Sequence, residues 1–211
     1  MKKSFLFLLC IFLSLNANAI CEQQDVKMNI VVEKGKVKYD HTKSRKEFEK
    51  YAKIKNPNML GLTVSNLRLN MGGKSIIQSN GKQYCSYVSE INFYLGFDEI
   101  DVYIDKKYPK NSCNYKVIKE HEDYHVAVSQ QAMVFFKPDI ERELKKIVSQ
   151  IKPEYTNSRS NAERIKDKQF KTIQNKIAPL LKHINRKINE KNNAIDTPES
   201  YAKTTKRCKK W

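Results

Sequence analysis

The hydrophobic period of this chain changes once, near Tyr115, and that change constrains the fold more than any other feature. Before it, short apolar runs alternate with polar residues between glycines, prolines and asparagines, a pattern typical of β-strands. After it, apolar residues recur every three or four positions over two long stretches, which is typical of amphipathic helices. The sequence therefore predicts an α+β fold, an N-terminal antiparallel sheet followed by a long helical hairpin.

Turn residues divide the first half into short elements. These are two strands within residues 26–40, a short helix over 44–56, a strand over 60–71 that ends at Gly72-Gly73, and a hairpin over 86–108 with its turn near Gly96-Phe97.

The second half predicts one helical stretch from Tyr115 to about Ile151 and another from about Ser158 to Asn192. A break at residues 153–155 separates them. Pro138 lies inside the first stretch, where it is compatible either with the first turn of a new helix or with a kink.

The N-terminus has the pattern of a secretory signal peptide. The start MKK is followed by an apolar run over residues 5–15 and by Ala17-Asn18-Ala19, a small-residue cleavage site. We expect residues 1–19 to be removed and the exported chain to begin at Ile20, with a periplasmic or secreted destination.

The chain carries a formal charge of +17, which becomes +15 without Lys2 and Lys3. In an exported protein this excess makes an anionic envelope surface a candidate partner. A solubilising lysine-rich surface explains it better, because the basic residues are spread among acidic ones. We expect no nucleic-acid partner and a monomer.

Four cysteines follow the signal peptide: Cys21, Cys85, Cys113 and Cys208. An even number in an exported chain predicts two disulfides with three possible pairings. A hairpin folded near residue 97 would bring Cys85 close to Cys113. That pairing is therefore preferred, and Cys21–Cys208 follows by elimination.

The segment HEDYH, residues 121–125, has the HExxH pattern of zinc peptidases. Its histidines fall on the predicted apolar stripe of the first helix, and Glu122 is offset from it by about 100°. That stripe consists of Val117, Ile118, Tyr124, Val128, Ala132 and Phe135.

Histidines four apart on a helix are neighbours, so both imidazoles can reach one Zn²⁺. Zinc lowers the pKa of a bound water toward ~7, and a glutamate beside it can take the proton as general base. This chemistry predicts His121 and His125 as metal ligands and Glu122 as the base. Two partly buried histidines satisfied by backbone carbonyls are the competing interpretation.

The segment NSCNYKVIKEHEDYHVAV, residues 111–128, resembles the bacterial predicted secreted zinc-dependent proteases. The resemblance implies that His121 and His125 ligate zinc and that Glu122 is the general base. The length of the exported chain and the lack of a low-complexity linker predict a single domain over 20–211, mainly β to residue 114 and mainly α from 115, and the resemblance implies that it is zincin-like. Many members carry a late Asp…Thr…His-Gly segment, whereas residues 195–201 here, IDTPESY, contain no histidine.

The third ligand must come from elsewhere in the chain. A helical hairpin folded near residue 155 nominates His183, Glu190, Asp196 and Glu199, whereas a chain reversal at Pro138 nominates Glu141 or Glu143. We favour Glu199, which follows Pro198 in a predicted turn near Cys208. Tyr201 is either an oxyanion contact or an aromatic anchor for the tail.

These features predict an exported zinc metallopeptidase or amidase that hydrolyses a peptide bond with a zinc-activated water. The alternative is a non-enzymatic, basic, envelope-associated binding protein with a structural or vestigial metal site. Glu122 discriminates between them, because a structural site has no use for that acid.

Overall fold

The computed structural model describes Cys21 and residues 25–52 and 59–211. The predicted signal peptide lies outside these ranges. The elements, in chain order, are β1 (Lys27–Glu33), β2 (Lys36–Asp40), α1 (Arg45–Phe48) with a 3₁₀ turn (Glu49–Tyr51), β3 (Gly61–Ser79), β4 (Tyr84–Ile104), α2 (Cys113–Ser149), β5 (Glu154–Thr156), α3 (Arg159–Ile195) and α4 (Pro198–Lys206). The α+β prediction is confirmed.

The sheet is mixed, so the prediction of an antiparallel sheet is wrong. β4 is its central strand. β3 pairs with one edge of β4 in antiparallel fashion. The other edge of β4 pairs with β1 and β2, which run parallel to it, and with β5, which runs antiparallel. Parallel pairing needs a long connection, and the chain between β2 and β4, which includes α1 and β3, supplies it.

The predicted hairpin over 86–108 is absent, because β4 runs unbroken through Gly96. The chain turns at Asn80-Gly81 instead. Gly81 has φ 86°, and the Asn80 side chain accepts hydrogen bonds from the backbone of Lys82 and Gln83. Asn-Gly is among the strongest hairpin signals in a sequence. A side chain at Gly96 would instead collide with the Glu33 carbonyl of the adjacent strand β1.

Two other predicted element boundaries differ from those in the structure. The strand predicted to end at Gly72-Gly73 continues through both glycines to Ser79. The helix predicted over 44–56 is one turn of α-helix plus one 3₁₀ turn ending at Tyr51, and residues 53–58 lie outside the described ranges.

The long helical hairpin is confirmed. Pro138 lies inside a continuous α2, so no chain reversal occurs there. Ser112 caps the start of α2 by accepting a hydrogen bond from the backbone of Tyr115. The chain reverses around β5, and α3 packs along α2.

The core lies between the sheet and this helical pair. Its centre consists of residues that are almost fully buried, contributed by β4 (Ile91, Phe93, Leu95, Ile100), α2 (Met133, Ile140, Leu144) and α3 (Ile173, Ile177, Ile184). The alternating β4 side chains and the helical stripes fit together because both patterns present one apolar face.

All four expected cysteines form disulfides, but the preferred pairing is wrong. Cys21 pairs with Cys85, and Cys113 pairs with Cys208. The expected pairing rested on a turn near residue 97, and the continuous β4 removes that turn. Cys113–Cys208 ties the end of α4 to the first residue of α2.

Two such cross-links are typical of proteins that fold in an oxidising compartment. Within the described ranges, no helix combines the length and the apolar character needed to cross a membrane.

Candidate metal centre

Helix α2 presents His121, Glu122 and His125 toward the protein interior. Each is at least 93 % buried. The burial of both histidines agrees with the sequence prediction, but the apolar stripe is displaced by about one position. Tyr124 and Phe135, predicted to be part of it, are 56 % and 72 % exposed.

Glu122 is therefore deeply buried instead of lying at the edge of the stripe. Its Oε2 accepts a hydrogen bond from the Thr63 hydroxyl of β3 at 2.8 Å. Gly61, two residues earlier in β3, makes this close approach possible. A Cβ at Gly61 would lie 2.7 Å from Glu122 Oε1 and 2.9 Å from Ile118 Cγ2.

Asp196 brings a carboxylate to the two histidines. It occupies the short connection between α3 and α4, and its Oδ1 lies 3.1 Å from Nε2 of His121 and 3.1 Å from Nε2 of His125. The Tyr201 hydroxyl donates to the same oxygen at 2.7 Å, and the Tyr201 ring lies 5.1 Å from that of His121. Thr197 and Pro198 start α4 and fix this connection, since the Thr197 hydroxyl accepts from the backbone of Ser200.

The spacing of these atoms fits a zinc ion. In a tetrahedral site with bonds of about 2.0–2.1 Å, neighbouring ligand atoms lie about 3.3 Å apart. The histidine–aspartate separations of 3.1 Å are close to that value, and all three ligand atoms lie within 4.8 Å of one another. Two imidazoles and a carboxylate form a donor set that zinc commonly takes in catalytic sites.

Asn192 orients one of the imidazoles. Its Oδ1 lies 3.0 Å from Nδ1 of His125, which therefore carries the hydrogen and donates it. When the ring is protonated, Nε2–H donates to Asp196; when it is neutral, Nε2 carries no hydrogen and is the atom available to a metal. Asn192 lies one helical turn before Asp196, so the C-terminal end of α3 supplies both contacts to His125.

Burial and charge act in opposite directions in this cluster. Burial raises the pKa of Glu122, although the imidazoles of His125 and His121 oppose it. Burial alone would raise the pKa of Asp196, but hydrogen bonds from the same imidazoles reverse the effect and hold that pKa far below its usual range. Asp196 is therefore an anion beside both histidines.

The pKa values of His125 and Tyr201 both depend on the negative charge of Asp196. Burial lowers the pKa of His125, yet the hydrogen bond to Asp196 and the charge of Glu122 outweigh it, and the net pKa is raised. Burial and the bond to Asp196 both raise the pKa of Tyr201, which stays a hydrogen-bond donor. A negative carboxylate that draws positive charge onto an imidazole is an environment that favours a cation.

A cavity of about 430 Å³ opens beside the cluster. Its wall includes Gly61, Thr63, Glu122, His125, Asp196 and Tyr201. Glu122 and two of the candidate ligands therefore face one space large enough for part of a peptide.

The other predicted ligands lie elsewhere. Glu199 is exposed on the first turn of α4 and is not part of the cluster, so Asp196 replaces it as the third candidate. His183 lies thirteen residues earlier than Asp196, about 20 Å along α3, and contacts Arg186 and Phe136.

Glu141 and Glu143 lie at least sixteen residues beyond His125 on the continuous α2, about 24 Å away along the helix. Glu190 is bound at the surface by Lys187 and Arg186.

Sequence reasoning missed Gly61, Thr63 and Asn192. Asn192 had a usable signal, because it lies four residues before Asp196 at the helical spacing that puts two side chains on one face. Gly61 and Thr63 had no such sequence signal, because their role depends on how β3 packs against α2.

Comparisons of the chain with protein-family models, curated proteins and solved structures found no significant match. The resemblance to predicted secreted zinc-dependent proteases and the zincin-like fold therefore stay expectations.

Proposed function

We propose that this protein is a zinc-dependent hydrolase of peptide bonds, a metallopeptidase or amidase. One observation carries the proposal. The Nε2 atoms of His121 and His125 converge on Oδ1 of Asp196 at 3.1 Å, and Glu122 faces the adjoining cavity.

His121, His125 and Asp196 would hold the metal, and Asn192 would fix the tautomer and orientation of His125. When bound, zinc supplies a Lewis acid that polarises a carbonyl and acidifies a water. Glu122 acts as the general base, because its carboxyl group faces the cavity beside the candidate ligands. Thr63 holds Oε2 of that carboxylate in place. The Tyr201 hydroxyl stabilises the charge of Asp196.

Metal analysis of the full exported chain, purified without chelators, tests the first part. We expect one zinc per chain, and loss of it in His121→Ala, His125→Ala and Asp196→Ala. Glu199→Gln is the matched control, because Glu199 lies three residues from Asp196 but is not part of the cluster. A wild-type protein without zinc, or an Asp196→Ala variant with a full complement, contradicts the assignment.

Glu122→Gln tests the catalytic part. We expect the variant to keep its zinc and to lose about 10²- to 10⁴-fold in the cleavage rate of an internally quenched peptide library. Unchanged cleavage by a zinc-loaded Glu122→Gln variant removes the base role. No cleavage by the zinc-loaded wild type favours the non-enzymatic binding protein with a structural metal.

Export is part of the proposal, and the two disulfides support it. Protein fractionated from its native host should be found outside the cytoplasm, with both cysteine pairs unreactive toward thiol reagents. A cytoplasmic protein with four free thiols contradicts this part and leaves the metal chemistry untouched.

A further inference from the structure

A second groove continues from the candidate metal centre along α3. It encloses about 340 Å³ between the C-terminal half of α3 and residues 65–67 of β3. Ser65 and Asn192 line both this groove and the cavity at the candidate metal centre, so the two spaces are adjacent.

Asparagines line the α3 side of the groove. Asn185, Asn189 and Asn192 are spaced four and three residues apart, and Asp196 follows after four more. At 100° per residue, all four positions lie within about 60° of one another on the helix. They form a single row that leads to the candidate ligand.

The outer amides of this row are available to a ligand. Asn185 and Asn189 are exposed, and neither side chain makes a hydrogen bond to another residue of the described ranges. An asparagine side chain offers an acceptor oxygen and two donor hydrogens. It is therefore complementary to a peptide main chain, which also presents donors and acceptors in turn.

The spacing of the row matches an extended chain. Asn185 and Asn189 are about 6 Å apart along the helix axis, and groups on the same side of a β-strand repeat at about 6.6 Å. From Asn185 to Asp196 the row covers about 16 Å, the length of about five extended residues.

The rest of the groove is uncharged. Its floor is apolar, formed by Leu67, Phe97 and Ile188. On the opposite wall, Asn66 lies at an irregularity of β3, where Ser65 and Leu67 have register partners on β4 and Asn66 has none. This lining suits neutral side chains and offers no ion pair to an acidic or basic ligand.

We propose that the asparagine row, which we define as Asn185, Asn189 and Asn192, binds about five residues of an extended, unfolded peptide through its main chain and leads it to the metal centre. This rests on the proposed function, because it names the substrate class of the same site. The protein would accept chain segments by backbone recognition and tolerate varied neutral side chains.

Binding to the zinc-loaded Glu122→Gln protein tests the proposal without requiring cleavage. The probes are acetylated, amidated Ala-Ser peptides of two, four, six and eight residues, measured by calorimetry. We expect affinity to rise with length up to about five or six residues and then level off. The Asn185→Ala/Asn189→Ala double variant should lose about five- to tenfold on the six-residue peptide and little on the two-residue one.

Asn175→Ala is the matched control, being an exposed asparagine of α3 that lines neither space. Zinc content and circular dichroism establish that each variant is folded. Asn192 is left unchanged, because its loss would disturb His125.

Several results overturn the proposal. One is a peptide affinity that does not depend on peptide length, and another is a double variant that binds the peptides as Asn175→Ala does. A third is tight binding of an N-acetylglucosamine tetrasaccharide, abolished in the double variant, while the peptides bind weakly. Length-dependent peptide binding that needs both asparagines, in a protein whose wild type cleaves nothing, keeps the groove and removes the hydrolase.

Discussion

Asn192 illustrates how one amide decides what a histidine can do. Its Oδ1 accepts a hydrogen bond from Nδ1–H of His125, so that Nε2 faces Asp196. Contacts of this kind fix the tautomer of a metal ligand, and their loss typically weakens metal binding by about 10- to 100-fold.

We therefore expect Asn192→Ala to raise the zinc dissociation constant by about 10- to 100-fold, measured by competition with a chelating dye. Asn192→Asp keeps an acceptor oxygen and should recover most of the affinity. If both variants bind zinc as the wild type does, Asn192 has no orienting role.

Gly61 controls the position of Glu122, the proposed general base. Gly61→Ala places a methyl group 2.7 Å from Glu122 Oε1 and displaces the carboxyl group, whereas none of the three atoms nearest that methyl group belongs to a candidate ligand. We expect peptide cleavage to fall at least tenfold with zinc content unchanged. Gly72→Ala is the control, because a Cβ there meets no atom within 4 Å. Equal activity in the two variants contradicts the steric argument.

At the scale of elements, α4 holds Asp196, the third candidate ligand, in place. Tyr201 anchors its first turns to Asp196 and His121, and Arg207 pairs with Glu120 of α2 through two hydrogen bonds. The Cys113–Cys208 disulfide joins the start of α2 covalently to the residues that follow α4. Asp196 is thereby fixed between the end of α3 and an α4 that is attached to the start of α2.

Removal of this disulfide should lower both the stability of the protein and its affinity for zinc. Closing a loop of about 95 residues stabilises a protein by up to about 4–5 kcal/mol in the chain-entropy model. We expect Cys113→Ser/Cys208→Ser to lower the free energy of unfolding by a few kcal/mol and to weaken zinc binding, as measured by denaturant titration and chelator competition.

Cys21→Ser/Cys85→Ser is the comparison. Cys85 lies at the start of β4, nineteen residues from Ile104 at its other end, which pairs with Gly61 beside the site. That distance is about 60 Å along the strand. The second pair of substitutions should lower stability while zinc affinity stays the same. Equal loss of zinc affinity in both double variants contradicts the role given to α4.

For the whole molecule, zinc would join parts of the chain that are 71 and 75 residues apart, since α2 supplies two ligands and the α3–α4 connection the third. A ligand that binds only the folded state stabilises it by RT ln(1 + [L]/Kd), about 2.7 kcal/mol at one hundred times Kd. We expect chelator treatment to lower Tm by several degrees and added Zn²⁺ to restore it in calorimetry. A Tm that is indifferent to both treatments contradicts a zinc site that bridges the two helices.

Local patterns were sufficient for much of the fold. The change of period at Tyr115, the two long helices and the inward-facing histidines depend on residues close together in sequence, and the structure agrees with each. Gly96 shows where a prediction from neighbouring residues failed. A glycine between apolar runs predicts a turn, but here it permits the close approach of β1, which lies more than sixty residues earlier.

The α+β order, the HExxH spacing on α2 and the oxidation of the four cysteines after residue 20 could be predicted from the amino-acid sequence, because each follows from neighbouring residues or from composition. Only the tertiary structure decided the parallel pairing of β1 and β2 with β4, the disulfide partners, and Asp196 instead of Glu199 as the third candidate ligand. Asp196 and Glu199 are both acidic and only three residues apart. What separates them is the end of α3, which directs Asp196 toward the histidines, and the start of α4, which directs Glu199 toward solvent.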